Sequence, residues 1–260
     1  MINTKKNREN LYLNLTELDL ITRLKPLLDK KGYVLRLEDA KFVPKIVFLS
    51  HEAPWVYVKD ANARCDIYHK VFYQCFGHIH SRCRRCWKVV VRPKTVVQLF
   101  DLYELQKEMG VSCKCGIEVR ETVNGHYGGY FYCQGEDEAH ERYKQVREII
   151  DDRISKDVPV ILKRMCTEFE LGTPPGGDGT HRPTTEIDKH ISADDLQWEY
   201  NIEQLFPPIG YTNPQPDYLT AYTMRRWIHH AHANNDMSYK ELTGGNSLYH
   251  DVITYHKGEH

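Results

Sequence analysis

The chain of 260 residues carries eight cysteines and fourteen histidines, several at spacings that suit a metal ion. Cys83-x-x-Cys86 and Cys113-x-Cys115 are pairs that a short loop can fold around one ion, while Cys133 and Cys166 stand singly and His78 and His80 flank one apolar residue. Zinc takes four thiolate or imidazole ligands, with sulfur about 2.3 Å from the metal. The expected site draws on Cys83, Cys86 and two of Cys113, Cys115 and Cys133, with His78 and His80 as supplementary ligands. Cys166, next to Met165, reads as a core residue, since free cysteine packs well in interiors. Four to six thiolates also suit an iron–sulfur cluster, and unligated buried thiols are the third reading of the same residues.

On a strand, two histidines separated by one residue point to the same side. In that respect His78-Ile79-His80 resembles the nickases whose motif is His-hydrophobic-His, which use a ferredoxin-like palm and a nucleophilic tyrosine. The resemblance implies a metal-dependent phosphodiesterase with Tyr103 as nucleophile. Surface or hydrogen-bonded histidines, and a core tyrosine on the apolar stripe of its helix, are the alternative. His229 and His232 share a helix face further on and read as a solvent-facing stripe.

The net charge of −1 conceals a basic block. Arg64, Lys70, Arg82, Arg84, Arg85, Lys88, Arg92 and Lys94 stand against Asp66 alone, so residues 64–94 carry +7 and leave −8 for the remainder. Such a block attracts phosphates, or is simply a solvated loop. Its end meets an aromatic run, Tyr127-Gly-Gly-Tyr-Phe-Tyr132, which resembles the base-stacking strand of RNA-recognition sheets. The expected nucleic-acid contacts are Arg82, Arg84, Arg85, Lys88, Arg92, Lys94, Tyr130 and Tyr132. The alternative is that the tyrosines are covered by the terminal extensions. After Gly128-Gly129 a nucleotide-cyclising palm has acids, where this chain has Tyr130 and Phe131, so that chemistry lacks its carboxylates.

These residues need elements to hold them. Lys88–Arg92 reads as a strand, a Thr95-capped helix runs to Gly110, and Gly116–Glu121 alternates like an edge strand. Asn124-Gly125 marks a turn, Gly129–Cys133 is a strand, Glu136–Ile154 is an amphipathic helix, and Val158–Cys166 supplies the last strand. The order β-α-β-β-α-β predicts an α+β chain with a ferredoxin-like core over about residues 88–166 and strand order 4-1-3-2. In that topology the starts of strands one and two share an edge with the ends of strands three and four. Cys83, Cys86, Cys113, Cys115, Cys133 and Cys166 would then gather at one rim.

Around the core, residues 1–60 read as a helix from Thr16 to Lys31 followed by short strands at 33–38, 45–49 and 55–59. Residues 61–87 read as an irregular Cys/His-rich metal-binding insertion, 171–184 as a Gly/Pro-rich linker, and 185–260 as a helical extension. No apolar run is long enough to span a membrane, and Met1–Asn10 lacks the apolar stretch of a signal peptide. The expectation is a cytoplasmic, zinc-stabilised nucleic-acid-binding protein. Its alternatives are the nickase, an iron–sulfur protein, and a structural or assembly protein with protein partners. No Ser-His-Asp order or phosphate loop is present.

Overall fold

The computed structural model describes residues 15–45, 54–61, 65–120, 123–170, 191–207 and 215–248. It is a mixed α/β chain with two antiparallel sheets, one of two strands and one of five. Helix α1 (Glu17–Lys30) starts at Thr16, whose side chain caps the Asp19 N–H while Asp19 reaches back to the Thr16 N–H. Satisfying two otherwise orphaned donors in this way offsets the poor helix former Pro26, which sits within the helix without ending it. Gly32, at φ 83°, lets the chain reverse into β1 (Tyr33–Arg36). β1 pairs with β2 (Lys41–Pro44) across a turn braced by Arg36 and Asp39. This strand at 41–44 is not among those expected; Ala40 takes a left-handed turn at φ 54° and brings Lys41 opposite Arg36. The strand expected at 45–49 lies, beyond Lys45, outside the described residues, as do the linker at 171–184 and Arg64.

Residues 65–76 are not irregular as expected but helical. Cys65–Ile67 and Gln74–Phe76 flank a π-helical section, Tyr68–Tyr73; together they form α2. Tyr68, Val71, Phe72, Cys75 and Phe76 recur at i, i+3, i+4, i+7 and i+8 and lie on one buried side of this helix. These residues share a core with Leu20, Leu24 and Leu28 of α1 and with Trp198 and Ile202 of α7 (Ala193–Glu203). After Gly77 the chain passes through His78–His80 into the short α3 (Ser81–Arg84).

The five-stranded sheet then forms. Its strands are β3 (Trp55–Lys59), β4 (Trp87–Val91), β5 (Cys113–Ile117), β6 (Tyr127–Cys133) and β7 (Val160–Arg164). They lie in the order β3-β5-β6-β4-β7, with every neighbouring pair antiparallel. Helix α4 (Val96–Met109), capped by Thr95 and stopped at Gly110, joins β4 to β5, and α5 (Glu136–Arg153) joins β6 to β7. Both pack on the face bearing Val89, Val91, Cys113, Cys115 and Phe131, and these residues form the second core with Leu99, Leu102, Val146 and Ile150. Gly129 lies under α4, where a Cβ would stand 2.4 Å from Leu102 Cδ2.

β5 starts three residues before the expected 116–121, so Cys113 and Cys115 lie within the strand rather than ahead of it. Their side chains are small hydrophobes on the helix-covered face, fully buried. That removes both from the rim at which six cysteines were expected to gather.

The remaining described elements are α6 (Thr167–Glu170), α8 (Asp217–Ala233) and α9 (Tyr239–Leu242). Trp227 of α8 is fully buried against the edges of Phe100 and Tyr103, and its indole N–H donates to the Pro54 carbonyl at 3.0 Å. No helix among the described residues is long and apolar enough to cross a membrane. Trp227→Ala removes a large core side chain together with this tie to the start of β3, and is expected to cost about 3–5 kcal/mol of unfolding free energy. Urea denaturation measures it; a loss below about 1 kcal/mol would mean that α8 does not stabilise the sheet through Trp227.

Candidate metal and anion site

β4 places one residue in two on each side of the sheet. Val89 and Val91 face the helices, so Lys88 and Val90 face the other way. Across the same register Lys88 lies between Tyr132 and Lys163, and Val90 between Tyr130 and Ile161, while Lys114 of β5 stands opposite Tyr130 and Tyr57. This second face therefore carries lysines interleaved with aromatic rings. Lys88, Arg92 and Lys114 lie over the Tyr130 ring at 5.8, 5.6 and 5.6 Å, and Lys114 also lies 4.7 Å over Trp55. Burial, and then the charges of Lys88 and Arg120, push the Lys114 amine down to about 8 against its interaction with Cys65 and Cys166. Tyr130 is only 4% exposed, and its hydroxyl donates to Glu118 Oε2 at 2.8 Å. Burial alone would raise the Glu118 carboxyl, but hydrogen bonds from Arg120 and Tyr130 hold it at about 2.

Where this face runs out past β4 and β7 it opens into a cavity of about 540 Å³. Arg92, Lys94, Lys163 and His126 line it over an apolar floor that includes Val90 and Ile161, and no acid is among its described lining residues.

At the opposite end of β4 the chain gathers sulfur. The Cys86 N–H donates to the Cys83 carbonyl at 3.2 Å, and the Cys86 carbonyl accepts from the Met165 N–H at 2.7 Å. Cys166 is thereby brought beside the Cys83–Cys86 pair, 3.7 Å from the Lys88 ammonium. Ligand atoms of His69, Cys166 and Glu168 lie within 4.8 Å of one another, a possible metal-binding group. Burial opposes ionisation of Cys166, yet Lys88 and a hydrogen bond from His69 outweigh it and bring the thiol down to about 6. Cys65 is exposed as a residue, but burial of its sulfur followed by the charge of Cys166 pushes that thiol up to about 11.

Of the expected metal ligands, Cys83 and Cys86 are thus brought together, and Cys133 lies at the same end opposite Trp87, its thiol beside Glu138 and Arg142. Cys113 and Cys115 are on the other face. Cys65, His69 and Glu168 escape sequence reasoning, which assigns Cys166 to the core. The i, i+4 spacing of Cys65 and His69 is the signal that would have found them, had residues 65–76 been read as a helix.

His78 and His80 are buried against α7. His78 Nε2 lies 2.6 Å from Glu199 Oε1, and His80 Nε2 lies 3.4 Å from Glu203 Oε1 and 3.6 Å from Glu199 Oε2. Tyr103 sits in the other core against Trp227, so the histidine pair and the tyrosine expected to act with it are in separate clusters. Of the expected nucleic-acid contacts, Lys88, Arg92, Tyr130 and Tyr132 share the lysine-bearing face and Lys94 lines the cavity. Arg84 Nε donates to the Ile79 carbonyl, and Arg82 and Arg85 are exposed around α3.

Burial, with further contributions from His78, Arg82 and Arg85, holds the His80 imidazole down at about 4, despite the opposing charge of Glu199. The ordinary value is 6.5, so between these limits the unfolded chain binds the extra proton and stability falls as the pH is lowered. Lowering the pH from about 7.5 to about 5 is expected to remove about 2 kcal/mol through this residue. Urea midpoints across that range would register the loss, and His80→Gln should abolish most of the slope; an unchanged slope contradicts the burial of a neutral His80.

Comparison with protein-family models, with curated proteins and with solved structures finds no match to this chain.

Proposed function

We propose that this protein binds single-stranded nucleic acid at the lysine-bearing face of its five-stranded sheet, and that residues 87–164 are a ferredoxin-like unit built to present that face. The fold reading is supported by the order β5-β6-β4-β7 with crossover helices after β4 and β6. One observation carries the functional reading: Arg92, Lys94 and Lys163 converge on a cavity with an apolar floor and no described acidic lining residue. Cations at the rim of a cavity attract phosphate oxygens, and an apolar floor accepts the face of a base. The cavity volume suits a ligand of nucleotide size.

The tyrosines act differently from those of an open stacking sheet. Tyr130 is buried beneath Lys88, Arg92 and Lys114, so its ring holds the cations in place while the base lies on the exposed Ile161. Cation–aromatic contacts of this kind contribute about 0.5–2 kcal/mol each. They keep the lysines from collapsing onto distant acids.

The test is binding of a fluorescent single-stranded oligonucleotide followed by anisotropy over a range of salt. Each phosphate contact contributes about 0.7 to the log–log salt slope for a single strand. The double variant Lys94→Gln, Lys163→Gln is expected to bind at least about tenfold more weakly and to lower that slope by about 1.4. Affinity and slope equal to those of the parent would overturn the reading.

A further inference from the structure

We propose that Cys65, Cys83, Cys86 and Cys166 together hold one zinc ion, with His69 as the outer donor that orients the Cys166 sulfur. Three chain segments distant in sequence meet at this place. Cys83 and Cys86 are tied to each other by the Cys86 N–H to Cys83 carbonyl bond, which is the tight turn that a Cys-x-x-Cys ligand pair requires. The end of β7 is clamped to this turn twice, by the Met165 N–H on the Cys86 carbonyl and by Arg164 Nε on the Arg84 carbonyl at 2.9 Å. Met165 has φ 57°, a left-handed conformation costly for a side chain of its size. It turns the chain sharply at the sheet edge, and Cys166 follows immediately.

The third segment is the first turn of α2. Cys65 and His69 are four residues apart on it, and His69 is within reach of Cys166, which places Cys65 on the side of the helix that faces the sulfurs. Each of the four thiols feels the charge of the other three. Among the described residues only His69, Cys166 and Glu168 have ligand atoms that all lie within 4.8 Å of one another, so zinc would draw the sulfurs of Cys65, Cys83 and Cys86 in toward Cys166. Cys75, Cys113 and Cys115 have no such relation to the group: Cys75 donates to the Lys70 carbonyl, Cys113 donates to the Gln106 carbonyl, and Cys115 interacts with Cys113.

The chemistry of the donors favours zinc. Thiolates crowded together in a shielded site repel one another, and a dication at their centre removes that repulsion as the thiols release their protons. Glu168 lies 3.5 Å from Arg120, and His69 stacks on Phe169 with ring centroids 4.3 Å apart. His69 keeps a ring nitrogen on the Cys166 sulfur, the outer-shell arrangement that fixes a ligand's direction. None of its four cysteines lines the cavity at the other end of β4, although Lys88 of the lysine-bearing face lies 3.7 Å from Cys166.

The test uses the full chain, with zinc as the probe. Metal analysis is expected to find one zinc per chain. Cysteine alkylation mapped by mass spectrometry should show Cys65, Cys83, Cys86 and Cys166 protected together, and a chelator should expose all four at once. Cobalt in place of zinc should give the strong sulfur-to-metal charge-transfer absorption of a four-thiolate tetrahedral site. Among variants, Cys65→Ser and Cys166→Ser should each lower zinc content at least tenfold, whereas Cys75→Ser and Cys133→Ser keep it. Protein that binds no zinc, chelator-released protection at Cys113, Cys115 or Cys133 instead, or an iron–sulfur absorbance in anaerobic protein would each overturn the assignment. The alkylation map is read on the unaltered chain, so it decides the assignment even where a variant fails to fold.

Discussion

The arrangement depends on β4 being hydrogen-bonded on both sides. Trp87 is opposite Cys133 on one flank and Arg164 on the other, and the register continues without a break to Val91. A strand held in this way cannot slip by one residue without turning Val89 and Val91 out of the core and Lys88 into it. The same register sets the two ends of the strand. At its start Cys86 meets the chain leaving β7, and beyond its end Arg92 and Lys94 meet the rim of the cavity. The cysteines and the cavity thus lie at opposite ends of one strand.

Burying lysine on a sheet face is costly, and the surroundings explain how it is sustained. The fall of the Lys114 amine from 10.5 to about 8 corresponds to roughly 3 kcal/mol against the charged form. Three aromatic rings, Trp55, Tyr57 and Tyr130, surround that ammonium, and no carboxylate among the described residues is paired with it. Lys88 is 5% exposed and has Cys166 as its polar neighbour. Glu118, the acid nearest this face, is occupied by Arg120, Tyr130 and Arg92. A face so arranged keeps a surplus of positive charge in a low-dielectric setting.

Much of this was legible from the chain alone. The crossover helices have conventional signals, Thr95 and Gly110 for α4 and an acidic first turn for α5, and both formed within a residue or so of expectation. The alternation of Tyr130, Phe131 and Tyr132 placed Phe131 under the helices. What failed has physical causes. Cys113-Lys-Cys-Gly looked like a loop because cysteine and glycine carry little strand signal, yet small side chains are what the space under α4 accepts. Tyr68, Val71, Phe72, Cys75 and Phe76 keep a helical spacing, but the cysteines and histidines around them suggested a ligand loop, and the face that joins Cys65 to His69 was missed. The partnership of His78 and His80 with Glu199 spans well over a hundred residues, and no local pattern announces it.

The central claim is that the β4 register brings Cys83 and Cys86 together with Cys65 and Cys166 around one ion. X-ray absorption at the zinc edge on the intact, zinc-loaded chain addresses it most directly, because it counts and identifies the atoms bound to the metal. The account predicts a first shell of four sulfurs at about 2.3 Å with no light-atom neighbour. A shell dominated by nitrogen and oxygen would contradict it.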